Sequence, residues 1–209
     1  MLLCEIFEIL VEHPLRITSL VVHKLENPHD NKKLFKTLIQ RKDKQFVGNY
    51  GEHVELWKVV KGRETEIFGV VPERSYVGYY VRWERQDAYF IDTDWATQVL
   101  VWAGVSPFTK GLPDKVFYDY VLPETGTVVS DSEQSARGEH FWQRMIAMAF
   151  EDTKYKVYLI DFNKKIVKRI NKYDDYVKLY HSPDSPWGNK KGFHNGLRIA
   201  ISDNDFTQE

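Results

Sequence analysis

Three residues in one short stretch carry groups suited to proton transfer: Asp131, Glu139 and His140. They lie in Gly126–Phe150, which alternates in character from an apolar run, Thr127–Ser130, through a polar turn, to an amphipathic segment with Trp142, Met145, Ile146 and Ala149 at helical spacing. A carboxylate and an imidazole at the end of a strand suit general acid–base work, provided that a second carboxylate orients the imidazole and a substrate proton lies within reach. This assigns a catalytic role to Asp131, Glu139 and His140 if the chain is an enzyme, either a small hydrolase or a transferase. A structural explanation competes with it. Asp131 stands three residues before Gln134, the spacing of a capping box, in which the first side chain accepts from backbone amides and the second reaches back. Ser130, Ser132 and Ser135 are close by, but no Gly-x-Ser-x-Gly elbow surrounds them. The turn also lacks the glycine spacing of a phosphate or dinucleotide loop.

A second group of candidates suits binding rather than chemistry. Asp92, Asp94 and Trp95 follow an apolar run, and Trp187, Phe193 and His194 sit in the long Pro- and Gly-containing stretch 181–196. Loops of this length are uncommon without a purpose, and aromatic side chains within them form docked lids or recognition surfaces. Paired carboxylates such as Asp92 and Asp94 more commonly cap a helix than hold a cation.

Other chemistry is disfavoured. Cys4 is the single cysteine, so neither an internal disulfide nor a cysteine-based zinc cluster is available. His13, His23, His29 and His53 form no metal-ligating pair, and no metal or cofactor is expected. With 29 basic and 30 acidic residues the chain is not built to neutralise a phosphate backbone, so a nucleic-acid partner is not expected. No apolar run approaches a membrane span, and the first ten residues lack the pattern of a signal peptide. A cytoplasmic protein whose partner is another protein is the expectation that follows.

The elements that must position these groups fall into two styles. Leu2–Val11 and Arg16–Leu25 are predicted strands, Asn27–Asp30 a turn, and Asn31–Gln40 a short helix. His53–Lys61 and Glu64–Val71 read as a hairpin, with Val54, Leu56 and Val60 on one face and His53, Glu55, Trp57 and Val59 on the other. Ser75–Trp83 and Ala88–Ile91 make a second hairpin. Asp92–Gly104 is predicted as a helix capped by Asp92 or Asp94 and stopped by Gly104. Pro107–Asp114 is predicted as a loop and Pro123–Gly126 as a turn. Thr127–Asp161 then reads as a strand, a helix and a parallel strand, followed by a strand at Ile166–Ile170, a helix at Tyr173–Tyr180 and a strand at Leu197–Ser202.

The predicted fold is α+β: an aromatic-rich antiparallel sheet in the N-terminal half, followed by a β-α-β-β segment, packed as one compact unit over 1–209. A subdivision within it separates 1–105, mostly antiparallel β, from 127–209, α/β. The predicted function is a non-catalytic protein-binding protein, of the kind found among bacterial accessory or toxin-neutralising, immunity-type factors.

Overall fold

The computed structural model describes residues 24–86, 95–104, 107–131, 136–183, 185–187 and 196–206. The fold is α+β, a mostly antiparallel sheet with several helices. The chain divides into two compact units. One comprises Met1–Val60, Glu66–Val81 and Trp102–Lys110, the other Lys61–Thr65, Arg82–Val101 and Gly111–Glu209.

In the first unit, helix α1 (Pro28–Gln40) starts where a turn was expected. The Asn27 side chain accepts from the His29 and Asp30 amides at 3.0 and 3.3 Å, and Pro28 fills the first helical position, where a missing N–H costs nothing. The turn-like residues are therefore an N-cap. Asn31, buried, spends its whole amide on backbone. Its Nδ2 donates to the carbonyls of Leu25 (2.8 Å) and Val77 (2.9 Å), and its Oδ1 accepts the Val77 N–H at 2.7 Å. Strands β1 (Gln45–Tyr50), β2 (Val54–Lys61), β3 (Glu64–Val71) and β4 (Tyr76–Gln86) lie side by side in that order. The expected alternation in β2 holds for Val54 and Leu56, which are buried, and then shifts phase. Val59 is fully buried, whereas Val60 is 48% exposed, because the covered face changes along the strand. Strands β3 and β4 are buried on both faces over most of their length, so they read as apolar runs rather than as alternation. The expected strands at 2–11 and 16–25 lie outside the described residues apart from Lys24 and Leu25, which are helical. The expected Ala88–Ile91 strand also lies outside them.

The largest correction concerns Asp92–Gly104. Trp95–Ala103 is strand β5, not a helix. Its β-branched and aromatic residues suit a pleated surface, and it pairs parallel with the next strand, Ala96 opposite Val128 and Thr97 opposite Val129. Strand pairing overrides the cap and stop pattern from which a helix was expected. Gly104 does not stop a helix. Its N–H donates to the Gly78 carbonyl at 2.9 Å, and a Cβ there would meet the Trp102 ring at 2.9 Å.

The predicted loop and turn between Pro107 and Gly126 are largely helical. A 3-10 turn (Pro107–Thr109) precedes α2 (Leu112–Val116), one π-helical turn (Phe117–Val121) and α3 (Leu122–Thr125). Both prolines that suggested breaks, Pro113 and Pro123, occupy first-turn helical positions. Gly126, at φ 68°, ends the run in a conformation that glycine adopts without strain.

The second unit contains β5 as far as Val101, β6 (Thr127–Val129), α4 (Ala136–Glu151), β7 (Lys156–Asp161), β8 (Ile166–Ile170), α5 (Tyr173–Tyr180) and β9 (Leu197–Ser202). Strands follow the order β5, β6, β9, β7, β8. Because β9 is antiparallel to both β6 and β7, those two strands are parallel to each other, as a strand–helix–strand crossover requires. The crossover leaves a slot between them, and β9 fills it. Helix α4 buries Phe141, Trp142, Met145, Ile146 and Ala149 and lies against β7.

Candidate functional site

The turn after β6 puts its serine to structural use. Ser130 is 3% exposed, its N–H donates to the Ile199 carbonyl at 2.8 Å, and its Oγ accepts the Ile199 N–H at 3.1 Å. The side chain thereby extends the pairing with β9 by one residue. Asp131, half-buried, lies in the field of Arg198. Burial pushes the Arg198 guanidinium below its ordinary range, and the Asp131 carboxylate acts in the opposite sense. Ser132–Ser135 lie outside the described residues, and with them the capping box that Asp131 and Gln134 were expected to form.

Glu139 and His140 are consecutive on α4, so about 100° of helix rotation separates them. Glu139 turns towards α5. The Tyr180 hydroxyl donates to its Oε1 at 2.5 Å, and Gln143, one turn further along α4, approaches the same oxygen at 3.5 Å. Glu139 raises the Tyr180 phenol above its ordinary range, because a neighbouring carboxylate disfavours a phenolate. His140 is exposed. Its carbonyl accepts from Arg144 at 3.4 Å, and Arg144 in turn bonds Asp114 at 3.0 Å. Asp131, Glu139 and His140 thus face different neighbours: a guanidinium, a phenol and solvent.

Below Glu139 the aromatic side chains close on one another. Trp187, 7% exposed, donates its indole N–H to the Tyr176 hydroxyl at 3.1 Å, and its ring lies 6.5 Å from that of Trp142. Phe117 meets Phe141 and Trp142 edge to face, each at 5.8 Å. Burial raises the Tyr176 phenol. Trp187 therefore docks its segment onto the unit. Trp95, half-buried at the start of β5, lies 5.6 Å from Phe162, and its indole nitrogen is buried without a hydrogen-bond partner among the described residues. Asp92, Asp94, Phe193 and His194 lie outside the described residues.

A second group, in the first unit, has the opposite character. On β1, Phe46 is 51% exposed and stands directly across from Trp57 of β2, the two rings meeting edge to face at 5.3 Å. The Trp57 indole N–H donates to Glu55 Oε2 at 3.0 Å, and the Lys44 ammonium lies 5.1 Å from the centre of the Trp57 ring. Lys44 is itself clamped. It donates to the carbonyls of Ile39 (2.7 Å) and Arg41 (2.9 Å), the C-terminal end of α1, where a cation is favoured. Ile39 is also exposed. A β-bulge follows Phe46, where the register jumps to Gly48. Phe46 and Trp57 present a fixed aromatic face beside the Lys44 cation, and the exposed Ile39 holds that cation through its carbonyl. Trp57 was within reach of sequence reasoning, since it falls on the side of β2 opposite the buried Val54 and Leu56. Phe46 was not, because Gln45–Tyr50 alternates too weakly to announce a strand.

Among the described residues, no three His, Cys, Asp or Glu side chains come together in a way that could hold a metal ion, and no helix is long and apolar enough to cross a membrane. No protein-family model matches the chain, and no curated protein matches its sequence.

Proposed function

We propose that the chain is a non-catalytic protein-binding protein and that the face built by Ile39, Lys44, Phe46 and Trp57 receives the partner. One observation carries this reading: Phe46 is half exposed in a fixed contact with Trp57, on a strand that is outermost among those described. Rigid aromatic side chains with few free torsions supply contact area at low entropic cost, which is why tryptophan and its neighbours dominate binding energetics. Here the indole is held from three sides before any partner arrives. The clamped Lys44 selects the chemistry opposite, an apolar protein surface bearing a carboxylate.

The support also comes from the other region. Glu139 is engaged by Tyr180, and His140 stands apart in solvent, which favours binding over acid–base catalysis at that turn. Within the binding class, a toxin-neutralising role calls for one stoichiometric partner.

The test compares three baits: the unaltered chain, Phe46→Ser and His140→Ala. A single protein retained in equimolar amount by the first and third, and lost by the second, supports the reading. Equal capture by all three baits, or no stoichiometric protein with any of them, rejects it.

A further inference from the structure

The residues that follow β9 run back across one face of the second unit. The Asp203 N–H donates to the Gly126 carbonyl at 3.0 Å, and the Asn204 N–H to Ser202 Oγ at 3.0 Å. From there the segment is read by three different groups. The Tyr158 hydroxyl donates to the Asn204 carbonyl at 3.1 Å and accepts the Phe206 N–H at 3.3 Å, so one side chain holds the main chain on both sides of Asp205. The Asp205 carboxylate lies between two cations, 3.0 Å from Lys156 Nζ and 3.4 Å from Arg169 Nη1. The Phe206 ring rests on that of Tyr158, centroids 4.4 Å apart. Beneath it lies an apolar surface of Val129, Tyr158, Ile160 and Ala200, with the partly buried rings of Trp95 and Phe162 against the same surface.

We propose that this face is a recognition surface for an extended protein segment in which a carboxylate residue is followed by an aromatic one, and that Asn204–Phe206 occupy it as an internal stand-in. The occupant defines the chemistry. A hydroxyl that holds the main chain on both sides of the acidic residue, and reaches its carboxylate at 3.5 Å, accepts an extended backbone, two converging cations select a carboxylate, and a phenol ring over an apolar floor selects an aromatic side chain. The internal segment is displaceable. Asp205 is two-thirds exposed, and ion pairs in that setting contribute little. Its advantage is the high effective concentration that a short tether confers. A partner segment overcomes it by reaching Trp95 and Phe162 as well. This surface shares no residue with the Phe46 face, so either assignment can fail without the other.

The probe is a fluorescein-labelled peptide, Ser-Asp-Asn-Asp-Phe-Thr-Gln, that copies residues 202–208, titrated by anisotropy against the full chain. Replacing the stand-in with the double variant Asp205→Asn/Phe206→Ala frees the surface, and the peptide then binds about tenfold more tightly than to the unaltered chain. Adding Lys156→Gln and Arg169→Gln reverses the gain, and added salt weakens the binding. A folded double variant with no saturable binding up to about 1 mM, the effective concentration of a short tether, overturns the proposal. Binding indifferent to Lys156 and Arg169 overturns it too. Should the double variant fail to fold, the unaltered chain decides. Under excess peptide, the backbone amide resonances of Asn204–Phe206 move to positions typical of unstructured chain if the segment is displaced. Unmoved resonances reject the proposal.

Discussion

Trp142 and Trp57 each meet a phenylalanine edge to face, at 5.8 and 5.3 Å, yet one pair is sealed and the other is half in water. Trp142 lies on the apolar stripe of a helix whose opposite face is polar, so packing that helix onto β7 buries the ring completely. The neighbouring Trp187 then needs a partner for its buried N–H and finds it in the Tyr176 phenol. Trp57 lies on a strand, where successive side chains take opposite faces. With Val54 and Leu56 committed to the core, Trp57 has to point outwards, and its N–H is served by Glu55, two residues back on the same face. The partner of the indole nitrogen distinguishes the two sites: a buried phenol marks a ring that belongs to the fold, and a surface carboxylate marks one held ready for contact.

The largest expected effect tests this division directly. Trp142→Ala removes a fully enclosed ring and leaves a cavity, which costs about 4 kcal/mol, enough to threaten folding. Trp57→Ala loses one aromatic contact and little burial, about 1 kcal/mol. Urea unfolding of both variants, with slopes checked for two-state behaviour, measures the difference. Equal losses would erase the distinction between a closed and an open assembly.

Phe46→Ser sharpens the open side. Stability should change by about 1 kcal/mol, because the side chain is already half in water and gives up chiefly its contact with Trp57. Affinity for the captured partner should fall by about 2 kcal/mol, roughly thirtyfold, as for a central aromatic anchor. Isothermal titration with the partner reads the affinity, and a loss below about threefold, under 0.7 kcal/mol, would move the binding face elsewhere.

How much of this was legible in the sequence follows from the same contrast. The α4 stripe was legible because Trp142, Met145, Ile146 and Ala149 repeat at helical spacing and local periodicity coincides with tertiary burial. The crossover from β6 to β7 was legible for the same reason. What no local pattern announces is the insertion of β9 between them, since a contact between Val129 and Ala200 spans most of the unit. The Trp95–Ala103 strand was misread as a helix because acidic residues before it and Gly104 after it imitate a cap and a stop; pairing with β6 decides it. The candidate residues fared differently. Glu139 was singled out for acid–base chemistry, and its neighbour Tyr180 comes from 41 residues away. Lys44 and Phe46 carried no signal, because their meaning comes from the end of α1 and from the strand opposite.

A smaller effect tests whether Glu139 belongs to the closed region. Tyr180→Phe removes the 2.5 Å bond that ties α5 to α4 and should cost about 1 kcal/mol, less than a buried charged bond because both groups are partly wet. The pH dependence has a defined sign. The Tyr180 phenol is raised in the folded chain, so its contribution is complete below the ordinary phenol range near pH 10 and is lost as pH climbs through the raised value. Unfolding free energies measured between pH 8 and pH 11 should therefore fall more steeply for the unaltered chain than for Tyr180→Phe. Parallel profiles would release Glu139 from this structural role and return it to the pool of reactive groups.

The smallest effect lies at Asp205, where an exposed carboxylate is held below its ordinary range first by its hydrogen bond to Lys156 and further by Arg169. A lowered carboxyl stabilises the docked segment at every pH above its ordinary value near 3.8, and that contribution disappears as pH falls below that value. Because the carboxylate is two-thirds exposed, global unfolding should scarcely register the change. The local readout is the amide resonance of Phe206, whose N–H is held by Tyr158. Acidification from pH 6 to pH 3 should shift it towards its position in Asp205→Asn, which already lacks the charge. The same titration in 1 M salt, where the Debye length falls to about 3 Å, should begin from a less docked position. If the resonance is indifferent to pH and salt alike, the Phe206 ring alone holds the segment, and the two cations beside Asp205 are ordinary surface charges.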